Sequence, residues 1–149
     1  MKVLFLDFDG VINSVRSSAA FGGYPWNINE ESLKLFDEVG LLLIRNLCDA
    51  NDIKIVVSST WRKCFTHESL ATALDLPIIG ATPHKLSHQR RGEEIQEWLD
   101  NHKEVKKYVI LDDDGDMLEH QMCRFVQTCP YDGLRWSDYN KIKELFGIK

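Results

Sequence analysis

The sequence is short of several things. Its four cysteines, at positions 48, 64, 123 and 129, form no CxxC pair. Such spacing reads as reduced thiols of an intracellular protein rather than a disulfide or zinc framework. No long hydrophobic run occurs: the apolar opening from Met1 to Leu6 stops at Asp7. That is too short for the apolar region of a signal peptide, and nothing approaches a membrane span. A soluble, cytoplasmic protein with no membrane partner is therefore expected. A basic excess is missing too, with 18 Lys and Arg against 23 Asp and Glu and a net charge of -5. This disfavours nonspecific coating of nucleic acid or acidic membranes, yet leaves room for a local basic patch facing one phosphate. Repeats, low-complexity tracts and linkers are absent as well.

What remains has the composition of an ordered globular chain. Of 149 residues, 44% are hydrophobic and 28% charged, which suits one domain over 1–149 with its own core. Short apolar runs at Val3–Leu6, Ile53–Val57, Pro77–Ile79, Tyr108–Leu111 and Phe125–Val126 read as buried strands. Between them Glu38–Asp49, Glu68–Leu74 and Arg91–Asn101 have helical spacing, with Trp98 and Leu99 assigned to the core. A last helix spans Ser137–Phe146, with Ser137 or Asp138 as N-cap and Gly147 as its stop. This alternation predicts an α/β fold with a mostly parallel five-stranded sheet between helical layers. Asn13–Asn29, holding Gly22, Gly23, Pro25 and the large residues Phe21, Tyr24, Trp26 and Ile28, reads as a long irregular loop or flap. For Phe21, Tyr24 and Trp26, packing within the loop is favoured over stacking on a ligand.

Sites in open α/β sheets lie beyond the carboxyl ends of the strands. There the first strand leads into Asp7-Phe8-Asp9-Gly10, the second into Ser58-Ser59, and the fourth into Asp112-Asp113-Asp114. If the first and fourth strands are neighbours, Asp7, Asp9 and Asp112 or Asp113 meet at one rim. Carboxylates that close raise one another's pKa unless something positive sits between them. Mg²⁺ suits such a set of oxygen donors. A hydroxyl from Ser58 and a guanidinium from Arg91 beside it would bind a phosphoryl group.

Four ordered segments carry a family resemblance: Asp7-Phe8-Asp9-Gly10-Val11 after KVLFL, IKIVVS ending at Ser58, Arg91-Gly92 at a helix start, and Asp112-Asp113 after YVIL. They resemble the four motifs of the haloacid dehalogenase-like (HAD) phosphohydrolase superfamily, and the resemblance covers nearly the whole chain. It implies a Rossmann-like three-layer sandwich and a Mg²⁺-dependent phosphomonoesterase working through an aspartyl-phosphate. Asp7 would be the nucleophile and Asp9 the acid, then the base. Metal ligands would be Asp7, the Asp9 carbonyl and Asp113, with Asp112 close by. Ser58 or Ser59, Arg91 or Arg90, and Gly10 would hold the phosphate.

Competing readings are weaker. Asp112-Asp113-Asp114-Gly115 has its glycine too early for an EF-hand loop and lacks the closing Glu. A phospho-receiver module would put its accepting Asp on a middle strand, where Ser58 stands. His84 and His88 share an i, i+4 spacing without a third ligand and read as surface residues. Trp61, beside the proposed site, either stacks on substrate or wedges the loop. Neither inter-motif segment has room for a folded cap domain, and the resembled family pairs an open site with bulky substrates. IVVSSTWR, RRGEEIQEWL and VILDDDGDM also look like small HAD domains of nucleic-acid end repair. The expected substrate is a polynucleotide 3′-phosphate, with Arg62, Lys63, Lys85 and Arg90 as a basic rim. A 5′-nucleotidase or other small-molecule phosphatase, and a non-catalytic binding protein of the same fold, are the alternatives.

Overall fold

The computed structural model describes residues 1–149. Five strands are present: β1 (Lys2–Leu6), β2 (Ile53–Val57), β3 (Ile78–Ala81), β4 (Lys107–Asp112) and β5 (Phe125–Gln127). All four pairings are parallel, in the order β3-β2-β1-β4-β5. Parallel strands need crossovers, and the helices supply them: α1 (Val15–Phe21), α2 (Glu30–Leu33), α3 (Glu38–Asn51), α4 (His67–Leu74), α5 (Arg91–Asp100) and α6 (Trp136–Phe146). Two 3₁₀ segments, Thr60–Lys63 and Glu119–Arg124, complete the chain.

The strands read as continuous apolar runs because both sheet faces are covered. Leu4, Leu6, Ile55 and Val57 bury against α3, α4 and α6, whereas Val3, Phe5, Val56 and Ile110 face α5. On that second face Trp98 meets the Phe5 ring edge-on at 5.5 Å. The sheet order reverses at β1: the chain first builds outward to β3, then crosses back through α5 to β4 on the other side. The crevice between the ends of β1 and β4 is thus the topological switch point. No helix is long and apolar enough to cross a membrane.

Two local expectations need correction. The segment 13–29 is not irregular throughout, because Val15–Phe21 is helical. Ser14 and Ser17 form a reciprocal cap there, with Ser17 N donating to Ser14 Oγ at 3.1 Å and Ser14 N to Ser17 Oγ at 2.7 Å. Serine replaces the usual Glu or Gln of a capping box, and the helix has no apolar stripe, so pattern reading passes over it. Residues 22–29 do lack regular structure. At the other end α6 starts a residue earlier than expected, with Arg135 as N-cap. Asp138 lies inside the helix, and its carboxylate reaches back to accept from Arg135 N at 2.9 Å. Gly147 ends the helix at φ 70°, as expected.

Candidate active site

Backbone bonds carry the sheet one residue past its strands and so fix the rim. Asp7 N donates to Leu111 O at 3.0 Å, Ser58 N to Leu6 O at 3.1 Å, and Thr128 N to Asp112 O at 3.0 Å. Asp7 and Ser58 therefore stand on adjoining strand ends, with Asp112 across the crevice. Beyond Asp7 the chain turns sharply, and Val11 N and Ile12 N both donate to Phe8 O. Gly10 adopts φ 80°, and a Cβ there would lie 2.3 Å from Asp113 Oδ2. Only glycine lets the acidic loop after β4 approach the first turn so closely.

Carboxylate oxygens of Asp7, Asp112 and Asp113 lie within 4.8 Å of one another. Arg91, the first residue of α5, reaches into this group: its Nη1 is 3.0 Å from Asp7 Oδ1 and 2.7 Å from Asp112 Oδ2. Its position follows from the start of α5, where Arg91 N donates to Asp116 Oδ2 at 3.2 Å and Gly92 N to Asp116 O at 3.0 Å. A Cβ on Gly92 would meet Leu118 N at 2.6 Å, so the glycine of the third motif allows the helix to abut the 116–118 backbone.

Burial sets the charge balance. Asp7 is 5% exposed and Asp112 fully buried. Desolvation pushes Asp7 up to about 6 and Asp112 up to about 8, and their mutual repulsion with neighbouring acids adds to it despite Arg91. The guanidinium, flanked by both, is held even more firmly in its charged form. One arginine thus leaves the cluster over-rich in negative charge. An all-oxygen donor set with surplus charge fits a hard divalent cation such as Mg²⁺.

Asp9 stands apart from that cluster. It is exposed, and its Oδ1 accepts from Asn13 Nδ2 at 2.9 Å and from Trp61 Nε1 at 3.2 Å. Trp61 is wedged among Phe8, Phe36 and Phe65, with ring centroids 5.7, 5.4 and 5.5 Å away. The packing reading of Trp61 holds, and the tryptophan also orients an acid. Asn13 was not among the expected site residues. Its only signal is its place four residues after Asp9, where the side chain returns to the turn.

The two serines after β2 separate cleanly. Ser58 Oγ is buried with no hydrogen-bond partner. Ser59 Oγ instead caps the following 3₁₀ turn, accepting from Trp61 N at 3.3 Å. A buried hydroxyl without a partner is costly, so Ser58 Oγ retains an unused hydrogen-bonding capacity that Ser59 Oγ does not. The arginines separate too, since Arg90 turns to Asp116 and Met117 O and away from the acids. Gly10 N donates to Asn13 Oδ1 at 3.3 Å. Its amide is thus engaged within the turn.

The expected basic rim is mostly neutralised. The Arg62 side chain is buried, donating to Ser58 O at 3.0 Å, Ser59 O at 2.7 Å, Thr82 O at 3.1 Å and Glu94 Oε2 at 2.6 Å. Lys85 pairs with Glu97, while Lys63 is exposed. His88 likewise meets Glu97 and His84 lies 3.8 Å from Glu94, so the histidines share no ligand. Contrary to expectation, Phe21, Tyr24 and Trp26 are about half exposed rather than packed.

A parallel α/β sheet with an acid cluster bridged by a basic residue at its switch point defines a domain of the HAD type. Over residues 3–139 the chain matches the family described as the HAD domain in Swiss Army Knife RNA repair proteins, and it belongs to that family. Membership supports a HAD-type phosphatase at the level of the family. Comparison with curated proteins and with solved structures gave no match.

Proposed function

We propose that the protein is a Mg²⁺-dependent phosphomonoesterase that removes the 3′-phosphate from polynucleotide ends. The observation carrying this reading is the grouping of Asp7, Asp112 and Asp113 about Arg91, beside the unpartnered Ser58 hydroxyl. The family description, with its RNA repair proteins, supports a nucleic-acid substrate. A cytoplasmic setting accords with four cysteines that are all free thiols.

In this reading Arg91 and Ser58 hold the phosphoryl oxygens. Asp7 attacks phosphorus as the leaving oxygen departs with the proton of Asp9, giving an aspartyl-phosphate. Asp9, held by Trp61 and Asn13, then takes a proton from water. That water attacks the same phosphorus, freeing phosphate and regenerating Asp7. Asp7, Asp113 and the Asp9 carbonyl would hold Mg²⁺, with Asp112 anchoring Arg91. When bound, the ion would offset the excess acid charge and polarise the phosphoryl group.

Phosphate release from a 3′-phosphorylated oligonucleotide, set against release from mononucleotides, tests the substrate. Faster turnover of the oligonucleotide is expected; faster turnover of mononucleotides would reject the end-repair reading in favour of a nucleotidase. Asp7→Asn tests the nucleophile, because it removes the attacking charge at nearly constant volume. Its activity should vanish while its circular dichroism spectrum stays native. Near-normal turnover would exclude Asp7 from that role.

A further inference from the structure

A cleft of about 240 Å³ opens directly beside Asp9, lined by Pro25, Trp26, Trp61, Cys64 and Phe65. We infer that it is a nucleobase subsite, in which Trp26 stacks on the base of the nucleotide that carries the scissile phosphate. The inference rests on Asp9 serving as the acid on the leaving-group side of the proposed reaction. Whatever is attached to the leaving oxygen must then lie next to Asp9, and this cleft is the space available there.

The lining specifies the occupant. Asp9 is its only charged residue and no cation borders it, so a second phosphate or an acidic group would be repelled. Aromatic faces favour a flat, neutral ring. The volume falls just below the roughly 300 Å³ at which drug-sized ligand pockets begin, room for one base rather than several. Across Thr60, which borders both, a second cleft is lined by charged side chains of both signs, among them Lys63, Arg91, Glu94, Asp114 and Asp116, and by no hydrophobic residue. The aromatic lining is therefore confined to the Asp9 side of this loop.

Trp26 is 55% exposed, yet it does not hang on loose chain. The fully buried Ser32 Oγ accepts from Trp26 N at 2.8 Å and from Asn27 N at 2.9 Å. An indole presented to solvent from a pinned backbone loses little entropy on stacking. Trp61 forms the inner wall of the same cleft while donating to Asp9, so a base seated there rests against the residue that orients the acid.

The test compares a 3′-phosphorylated oligonucleotide with one whose terminal nucleotide is abasic. Wild type should prefer the base-bearing end in kcat/KM by about tenfold or more, the scale of a base–aromatic stack. Trp26→Ala should collapse that ratio towards one, and Trp26→Phe should keep most of it. Trp136→Ala, which removes an exposed tryptophan from the start of α6, should leave the ratio unchanged. Equal handling of both substrates by wild type, or a ratio indifferent to Trp26, would overturn the subsite. Binding of fluorescein-labelled versions of the two oligonucleotides to Asp7→Asn separates the two proposals. A preference there that depends on Trp26 supports the subsite even if no turnover is found. Loss of the preference overturns the subsite even where turnover is normal.

Discussion

Ser58 and Ser59 are adjacent, chemically identical and both fully buried, yet their hydroxyls have opposite fates. One has no partner and the other caps a turn. Ser58→Ala should therefore lower kcat/KM for phosphate-ester hydrolysis about tenfold, the scale of one hydrogen bond to a charged group. It should leave thermal stability unchanged or slightly improved, since an unsatisfied buried hydroxyl is removed. Ser59→Ala should do the reverse, costing about 1 kcal/mol of stability through loss of a cap while sparing turnover. Calorimetry and steady-state rates on both variants check the pair, and the opposite pattern would give the phosphate contact to Ser59. No reading of IVVSSTWR could make this choice, because the pattern marks where the strand ends and not which hydroxyl is left over.

At the scale of elements, Arg62 ties the site together from behind. Its guanidinium joins the loop after β2, the end of β3 and Glu94 on α5, with side chains only 5% and 11% exposed. Removing one member of a buried ion pair strands the other. Arg62→Met should cost about 3–5 kcal/mol in urea denaturation, and Arg62→Met combined with Glu94→Leu should recover part of it. Lys85→Met breaks a pair whose lysine is 54% exposed and should change stability by less than about 1 kcal/mol. Equal losses in the two single variants would refute a structural role for Arg62. From sequence this arginine joined the basic rim, because a charge after a strand end defaults to solvent. Thr82 and Glu94, twenty and thirty-two residues away, are the partners that bury it. Local pattern also passed over α1, where two serines cap each other, while it found α3, α4 and α5 through their apolar stripes.

For the whole molecule, the acid cluster makes stability depend on pH and on metal. Asp7 and Asp112 are raised to about 6 and about 8, against about 4 in an unfolded chain. The folded state then binds more protons than the unfolded state between those values, so stability falls as pH rises. In EDTA the melting temperature should drop from pH 5 to pH 8. Mg²⁺ should raise it more at pH 8 than at pH 5, because the ionised acids are then the ones in need of neutralising. Asp7→Asn should flatten the EDTA profile. A melting temperature that climbs with pH in EDTA would contradict this account of the cluster.

Read alone, the sequence established the α/β class, five strands within a residue or two, the acids and the hydroxyl at strand ends, and the base at a helix start. Those features are written in local order: apolar runs too short for helices, helical stripes between them, and polar residues where each run stops. Tertiary structure decided the rest. It put β4 beside β1, so that residues more than a hundred positions apart share one cluster. It also left the Ser58 hydroxyl without a partner while Ser59 caps a turn, set Arg91 rather than Arg90 against Asp7 and Asp112, and turned Arg62 inward. Each choice depends on which atoms a side chain meets across the crevice, and such distances arise only when the sheet is assembled.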